Sequence, residues 1–394
     1  MNNKNSNFEF RLKTRLKFGT GEALNLGKYL KEAGFKRIGV IADPGVFNLD
    51  YFKKIIQGIE DQELDRVKVW EYDIKGEPDY DSLDRVKAEF LDENQQPAVD
   101  CFVSIGGGSV MDFAKGLAVL VVNPGKAINY RGFPKNINSP LPNIALPTTA
   151  GTASEVTYFA VFINHPDKTK RGINTTDNFP VLAILDPKLT LSCPKVVIAS
   201  SGIDALSHAL ESYVARQANS LTKVFAKEGF KLLFNNLFKV LDDPENLEIR
   251  SNLQLGAYLA GISLMNSGAG PAGDLSYPLC VHFGAPHGLG TAVFFPYIIE
   301  HNVKNGYDHS ELYDLIEGAD KSLGKEEKNR LFSEKTFELS RKLGVPSSLR
   351  GFGVNEENIG ILLKEVEKLA EDFKQNPVPF SVEQGKELLK KLIS

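Results

Sequence analysis

A parallel-sheet α/β domain followed by an all-helical domain is the fold class this sequence predicts. Short β-rich runs alternate with helix-length amphipathic stretches through the first half of the 394 residues. A glycine turn, Gly106-Gly107-Gly108-Ser109, joins one such run directly to a helix-like stretch. After about Pro194 the texture changes to long segments with apolar residues at helical spacing.

Taken in order, Arg37–Ala42 (RIGVIA) reads as a strand, followed by Asp43-Pro44-Gly45 and the amphipathic Tyr51–Glu60. Val67–Tyr72 is strand-like, Tyr80–Leu91 helix-like, Val99–Ile105 strand-like and Val110–Val121 helix-like. Asn143–Pro147 and Val181–Asp186 look like further buried strands, with Val156–Ile163 between them. Strands separated by helices of this length indicate a doubly wound parallel sheet. Beyond it, Ala199–Ala215, Leu221–Leu241, Leu247–Met265 and Asn355–Phe373 read as helices. The boundary falls near Leu191–Lys195, giving domains of 1–193 and 194–394.

Composition narrows the function classes. Hydrophobic content of 42% with 24% charged residues is ordinary for a globular chain. A net charge of -4 without a Lys/Arg stripe gives no case for nucleic acid. The N-terminal stretch has no apolar signal core, and nothing approaches the roughly 18 apolar residues of a membrane span. Cys101, Cys193 and Cys280 are far apart, which suits a reducing compartment, with cytoplasm the default.

The glycine turn lets backbone N–H groups approach an anion, and the helix N-terminus after it adds partial positive charge. A pyrophosphate is the natural ligand, although the run is not GxGxxG and also fits an unliganded strand–helix turn. Asp43, at the tip of the first β-run, suits an adenosine ribose and disfavours a 2′-phosphate, or else makes an Asx turn before Pro44-Gly45. The hydroxyl-rich PTTAGTASEVT segment (147–157) is either a cofactor lining or a solvated loop.

In the helical GIDALSHALESY segment (202–213), Asp204 and His208 are four residues apart and share a face. That pair fits a divalent cation such as Fe²⁺, Zn²⁺ or Mn²⁺, or a plain carboxylate–imidazole hydrogen bond. His287, in the loop-like Ala285-Pro286-His287-Gly288, offers a third ligand, a nitrogen, that would complete a set with open positions.

GGGSVMDFAK, PTTAGTASEVT, GIDALSHALESY and the APHG loop occur in the order and spacing of iron-containing alcohol dehydrogenases, and the chain resembles that family over essentially its whole length. The resemblance implies a Rossmann-like N-terminal domain and a helical C-terminal domain, the fold shared with dehydroquinate synthase, with a metal in the interdomain cleft. Residue by residue, it implies that Gly106, Gly107, Gly108 and Ser109 hold the pyrophosphate and that Asp112 lies near the nicotinamide ribose. Thr148, Thr149 and Ser154 then line the cofactor, Asp43 recognises the ribose, and Asp204, His208 and His287 bind metal. The family's fourth ligand histidine falls at Gly273 here, and a second histidine near the nicotinamide falls at Tyr277. Asp274 or His282 is left as a substitute donor, and Tyr277 or His282 as a proton carrier.

The expected activity is hydride transfer between NAD, or NADP, and a small alcohol or carbonyl substrate, assisted by Fe²⁺ or Zn²⁺. Look-alikes are commonly homodimers. The alternatives are a metal-independent or sugar-acid-directed member of the family, suggested by Gly273 and the Leu275-Ser276-Tyr277 run, a non-catalytic nucleotide-binding member, and a dehydroquinate-synthase-like lyase with no net cofactor reduction.

Overall fold

The computed structural model describes residues 7–393. The chain divides into two compact units. One holds Leu12–Pro194 with Glu245–Gln254, and the other holds the described residues up to Arg11, Lys195–Pro244 and everything from Leu255 onward.

In the first unit the strands are β1 (Arg15–Phe18), β2 (Arg37–Ala42), β3 (Arg66–Glu71), β4 (Cys101–Gly106), β5 (Asn143–Pro147), β6 (Val161–Asn164), β7 (Thr169–Gly172) and β8 (Leu182–Leu185). Its helices are α1 (Leu26–Glu32), the short α2 (Pro44–Phe47), α3 (Asp50–Glu60), α4 (Tyr80–Lys87) and α5 (Gly108–Leu120). Six strands form one parallel sheet in the order β1-β8-β5-β4-β2-β3. The central strands β4, β5 and β8 are buried along their whole length, as a sheet covered on both faces requires.

Strand alternation sorts the core into two layers. Cys101, Val103 and Ile105 of β4 face Leu26, Leu30, Ile55 and Ile59 of α1 and α3. Phe102, between them, faces Leu83, Phe113 and Leu117 of α4 and α5. The parallel sheet is therefore as expected. Two features differ from expectation. β1 is an edge strand whose charged RLKF run becomes regular through pairing with β8. In the 156–163 stretch only the end is strand, and it pairs antiparallel with β7 in a separate two-stranded ribbon.

The second unit is helical: α6 (Lys195–Val214), α7 (Ser220–Asn236), α8 (Lys239–Asp242), α9 (Leu247–Ser267, whose first turns belong to the other unit), α10 (Pro271–Phe283), α11 (His287–Lys304), α12 (Ser310–Tyr313), α13 (Lys325–Lys342), α14 (Gly360–Glu367) and α15 (Val382–Lys391). The stretch 355–373, expected as one helix, is α14 followed by a 3-10 turn at Asp372–Gln375. α6 buries most of its residues, including the polar Asp204, Ser207, Glu211 and Ser212. Polar groups buried that deeply call for partners.

The α10–α11 joint sets up the site. Gly284 ends α10 in the left-handed conformation, at φ +68, where glycine carries no Cβ penalty. Its N–H donates to the Cys280 carbonyl, Ala285 and Pro286 follow, and α11 starts at His287. His287 is thus a first-turn helical residue rather than a loop residue.

Candidate functional site

The nucleotide elements gather at the carboxyl ends of β2, β4 and β5. Asp43 N–H donates to the Ile105 carbonyl (2.9 Å) and Thr148 N–H to the Gly106 carbonyl (3.0 Å). Asp43, Gly106–Ser109 and Thr148-Thr149 therefore share one edge of the sheet, where ligands of open α/β sheets bind. Gly107 is the N-cap of α5, and no side chain caps that helix end.

The three glycines have different reasons to be glycine. A Cβ on Gly106 would lie 2.6 Å from Val110, and one on Gly108 would lie 2.5 Å from Thr152, so packing demands both. A Cβ on Gly107 would meet nothing nearer than Thr149 at 3.5 Å, an ordinary contact. Nothing in the protein forbids a side chain at the helix mouth. A cradle left open there, with uncapped N–H groups around it, fits a pyrophosphate.

Asp43 accepts from Gly45 N–H through Oδ1 (2.7 Å), so it makes the Asx-type cap of α2 while standing at the strand tip. Asp112 is engaged by the protein on both oxygens. Ser154 Oγ donates to Oδ1 (2.5 Å), and Val161 N–H donates to Oδ2 (2.9 Å). Lys115, one helical turn on and fully buried, lies 3.7 Å from Asp112 and donates to the Phe159 carbonyl (2.7 Å). Burial lowers the Lys115 pKa to about 8 and pushes the neighbouring Glu155 up to about 7. Asp112, Lys115 and Ser154 thus clamp the 154–161 segment onto α5. Sequence reasoning passed over Lys115, although its i,i+3 spacing from Asp112 marks it.

The proposed metal donors meet within the helical unit. Asp204 and His208 stand one turn apart on α6, and His287 opens α11. His208 Nε2 and His287 Nε2 each lie 3.8 Å from the same oxygen, Asp204 Oδ1. That oxygen is buried and has no hydrogen-bond partner. The approach depends on Gly288, where a Cβ would sit 2.2 Å from the Ser200 carbonyl oxygen. Glycine there lets the first turn of α11 lie directly on the α6 backbone.

The residues around the Asp204 oxygen have separate tasks. Tyr277 stacks on the His287 ring, with centroids 5.0 Å apart and planes at 25°. His282 faces elsewhere, its Nε2 lying 3.9 Å from Glu365 of α14. In α10 it is nine residues beyond Gly273 and on the opposite face, so it is not brought to Asp204. A Cβ at Gly273 would meet only Glu211 Oε2, at 3.6 Å. Glu211 accepts N–H bonds from Gly270 (3.0 Å) and Ala272 (2.8 Å) at the start of α10, while burial pushes its pKa up to about 7. Burial also raises the Asp274 carboxyl well above its usual range, with the Glu211 and Asp372 carboxylates adding to the shift.

Among the described residues no three His, Cys, Asp or Glu side chains form a ready-made ligand cage. What the structure does contain is an orphaned buried carboxylate oxygen facing two imidazole nitrogens. Two metal–ligand bonds of ~2.1 Å meeting at the tetrahedral angle hold donors ~3.4 Å apart, so each imidazole nitrogen, at 3.8 Å from Asp204 Oδ1, stands slightly wide of a closed site.

Residues 13–187 match the family model described as iron-containing alcohol dehydrogenase, and residues 198–393 match the C-terminal model of the same family. The chain is 30% identical over 376 residues to alcohol dehydrogenase 4 of Saccharomyces cerevisiae, covering 95% of each. It is 29% identical over 351 residues to the NAD-dependent methanol dehydrogenase of Bacillus methanolicus, covering 88% of this chain and 90% of that one. Among solved structures, a 1,3-propanediol oxidoreductase superposes with a TM-score of 0.89 at 25% identity, over 98% of this chain and 100% of the other.

Proposed function

The chain belongs to the iron-containing alcohol dehydrogenase family, and from that premise we propose that it moves a hydride between NAD and a small alcohol or aldehyde, with a divalent metal held by Asp204, His208 and His287. The observation that carries the metal assignment is the buried Asp204 Oδ1, without a hydrogen-bond partner and 3.8 Å from both imidazole Nε2 atoms. A buried unpaired carboxylate oxygen is costly, and a cation between it and the imidazoles removes that cost. The substrate class and the preference for NAD follow the relatives' names and Asp43 at the strand tip, with NADP the variant reading.

Bound, the cation supplies Lewis-acid polarisation of a substrate oxygen, and the nicotinamide carries the hydride. The chain's own groups do the rest. Gly107, Gly108 and Ser109 would offer N–H groups to a pyrophosphate, with Thr148 and Thr149 beside them at the carboxyl ends of the strands. Asp112, bonded to Ser154 Oγ and Val161 N–H, would shape the cofactor wall near the nicotinamide ribose. Tyr277, stacked on His287, would exchange a proton near the substrate, a task that His282, beside Glu365 on the far side of α10, would not share. A homodimer and a cytoplasmic location complete the reading, supported by the exposed edge strand β1 and by three cysteines that form no disulfide among the described residues.

His208→Ala tests the assignment. The variant is expected to lose metal-dependent turnover at least ~100-fold while binding NADH as the wild type does. Unchanged activity at matched melting temperature overturns the metal site.

A further inference from the structure

Resting on the metal reading above, we propose that Ser276 is a positioning residue that fixes the His287 imidazole in its Nδ1–H form, leaving the Nε2 lone pair turned toward Asp204. The argument runs through one hydroxyl proton. Ser276 Oγ lies 2.7 Å from the Gly273 carbonyl oxygen and 2.6 Å from His287 Nδ1. A carbonyl only accepts, so a 2.7 Å contact with it is a hydrogen bond only when Ser276 donates its single proton there. That proton is then unavailable to His287. The 2.6 Å contact on the other side is favourable only when Nδ1 carries a hydrogen and donates it to Ser276 Oγ. The reverse assignment would press two oxygen lone pairs together at 2.7 Å.

The chain of donation is therefore His287 Nδ1–H to Ser276 Oγ, and Ser276 Oγ–H to the Gly273 carbonyl. Ser276 is fully buried, so water does not compete for these positions. Its Cβ is backed by Gly290 of α11, where a Cβ would come within 3.1 Å. Tyr277, stacked on the ring, resists its rotation. Cys280 Sγ, 3.9 Å from Nδ1, is too distant to compete as a strong partner. The neutral imidazole so held presents its lone pair at Nε2, the atom 3.8 Å from Asp204 Oδ1. Partners that orient a ligand histidine in this way change metal affinity by ~10–100-fold.

The tautomer can be read without turnover and without metal. Full-length protein labelled with ¹⁵N-histidine and stripped of metal is examined by long-range ¹H–¹⁵N correlation at pH 8, with His287→Gln assigning the resonances. The expected result is a proton on Nδ1 in the wild type and exchange between both nitrogens in Ser276→Ala. Co²⁺ titration of the same proteins should show ~10–100-fold weaker binding in Ser276→Ala and recovery in Ser276→Thr, which keeps the hydroxyl. An Nε2–H resonance in the wild type overturns the proposal, as does equal Co²⁺ affinity in wild type and Ser276→Ala. A wild type with Nδ1–H that takes up no Co²⁺ overturns the metal reading instead, which separates the two failures.

Discussion

Gly273 stands where the family resemblance expects a ligand histidine, and the space around it is open. A Cβ there would touch only Glu211 Oε2, at 3.6 Å, and the residue sits one turn before Ser276 and Tyr277 in α10. A Cβ is therefore sterically admissible there. Gly273→His is expected to tighten Co²⁺ or Zn²⁺ binding about tenfold or more, ~1.4 kcal/mol, measured by competition with a chromophoric chelator. Unchanged affinity would mean that position 273 does not face the Asp204 oxygen. Part of the site was legible at this scale. Asp204 and His208 are one helical turn apart in sequence, whereas the opposite-face placement of His282, nine residues from Gly273, emerged only once α10 was seen to be helical. Ser276 was not legible as a positioning group, because its role arises from α10 lying against α11 and no spacing within α10 reports that.

The α6–α11 contact carries the site at the level of elements. Gly288 lets the α11 backbone rest against Ser200, so His287 reaches Asp204 only while those two helices stay that close. Gly288→Ala forces a Cβ to 2.2 Å from a backbone oxygen, and backbone yields less readily than a side-chain tip. Overpacking of this kind costs ~1–3 kcal/mol, and it also pulls His287 from its partner. The expected outcome is a lower melting temperature together with metal affinity reduced at least as far as in Ser276→Ala. Loss of stability with metal affinity retained would detach the helix contact from the site. Element by element, the buried strands were readable because a sheet covered on both faces writes continuous apolar runs. α10 and α11 were not, since Pro278 and Pro296 interrupt the helical signature while tertiary packing holds both helices. β1 was missed for a related reason. Its RLKF run has little strand character until β8 pairs with it.

The pH response of the whole molecule joins buried groups in both units. Glu155 in the α/β unit and Glu211 in the helical unit are each raised by burial from 4.5 to about 7. Their protonated forms favour the fold, a contribution present below about 4.5 and lost as pH rises toward 7. His309 acts with the opposite sign. It is completely buried, stacked on Phe332 with ring centroids 5.2 Å apart, and burial lowers its pKa from 6.5 to about 4. Below 6.5 the unfolded chain takes up a proton that the folded chain refuses, so stability falls as pH drops from 6.5 toward 4. Because the opposing terms overlap between 4.5 and 6.5, the wild-type profile alone does not isolate either. A difference measurement does. His309→Phe preserves the ring stack on Phe332 and removes only the imidazole, leaving both glutamates in place. The variant is expected to gain about 2 kcal/mol over wild type at pH 5 relative to its effect at pH 8, read as a melting-temperature difference that widens on the acid side. A difference that stays constant between the two pH values would show that His309 titrates alike in the folded and unfolded chain.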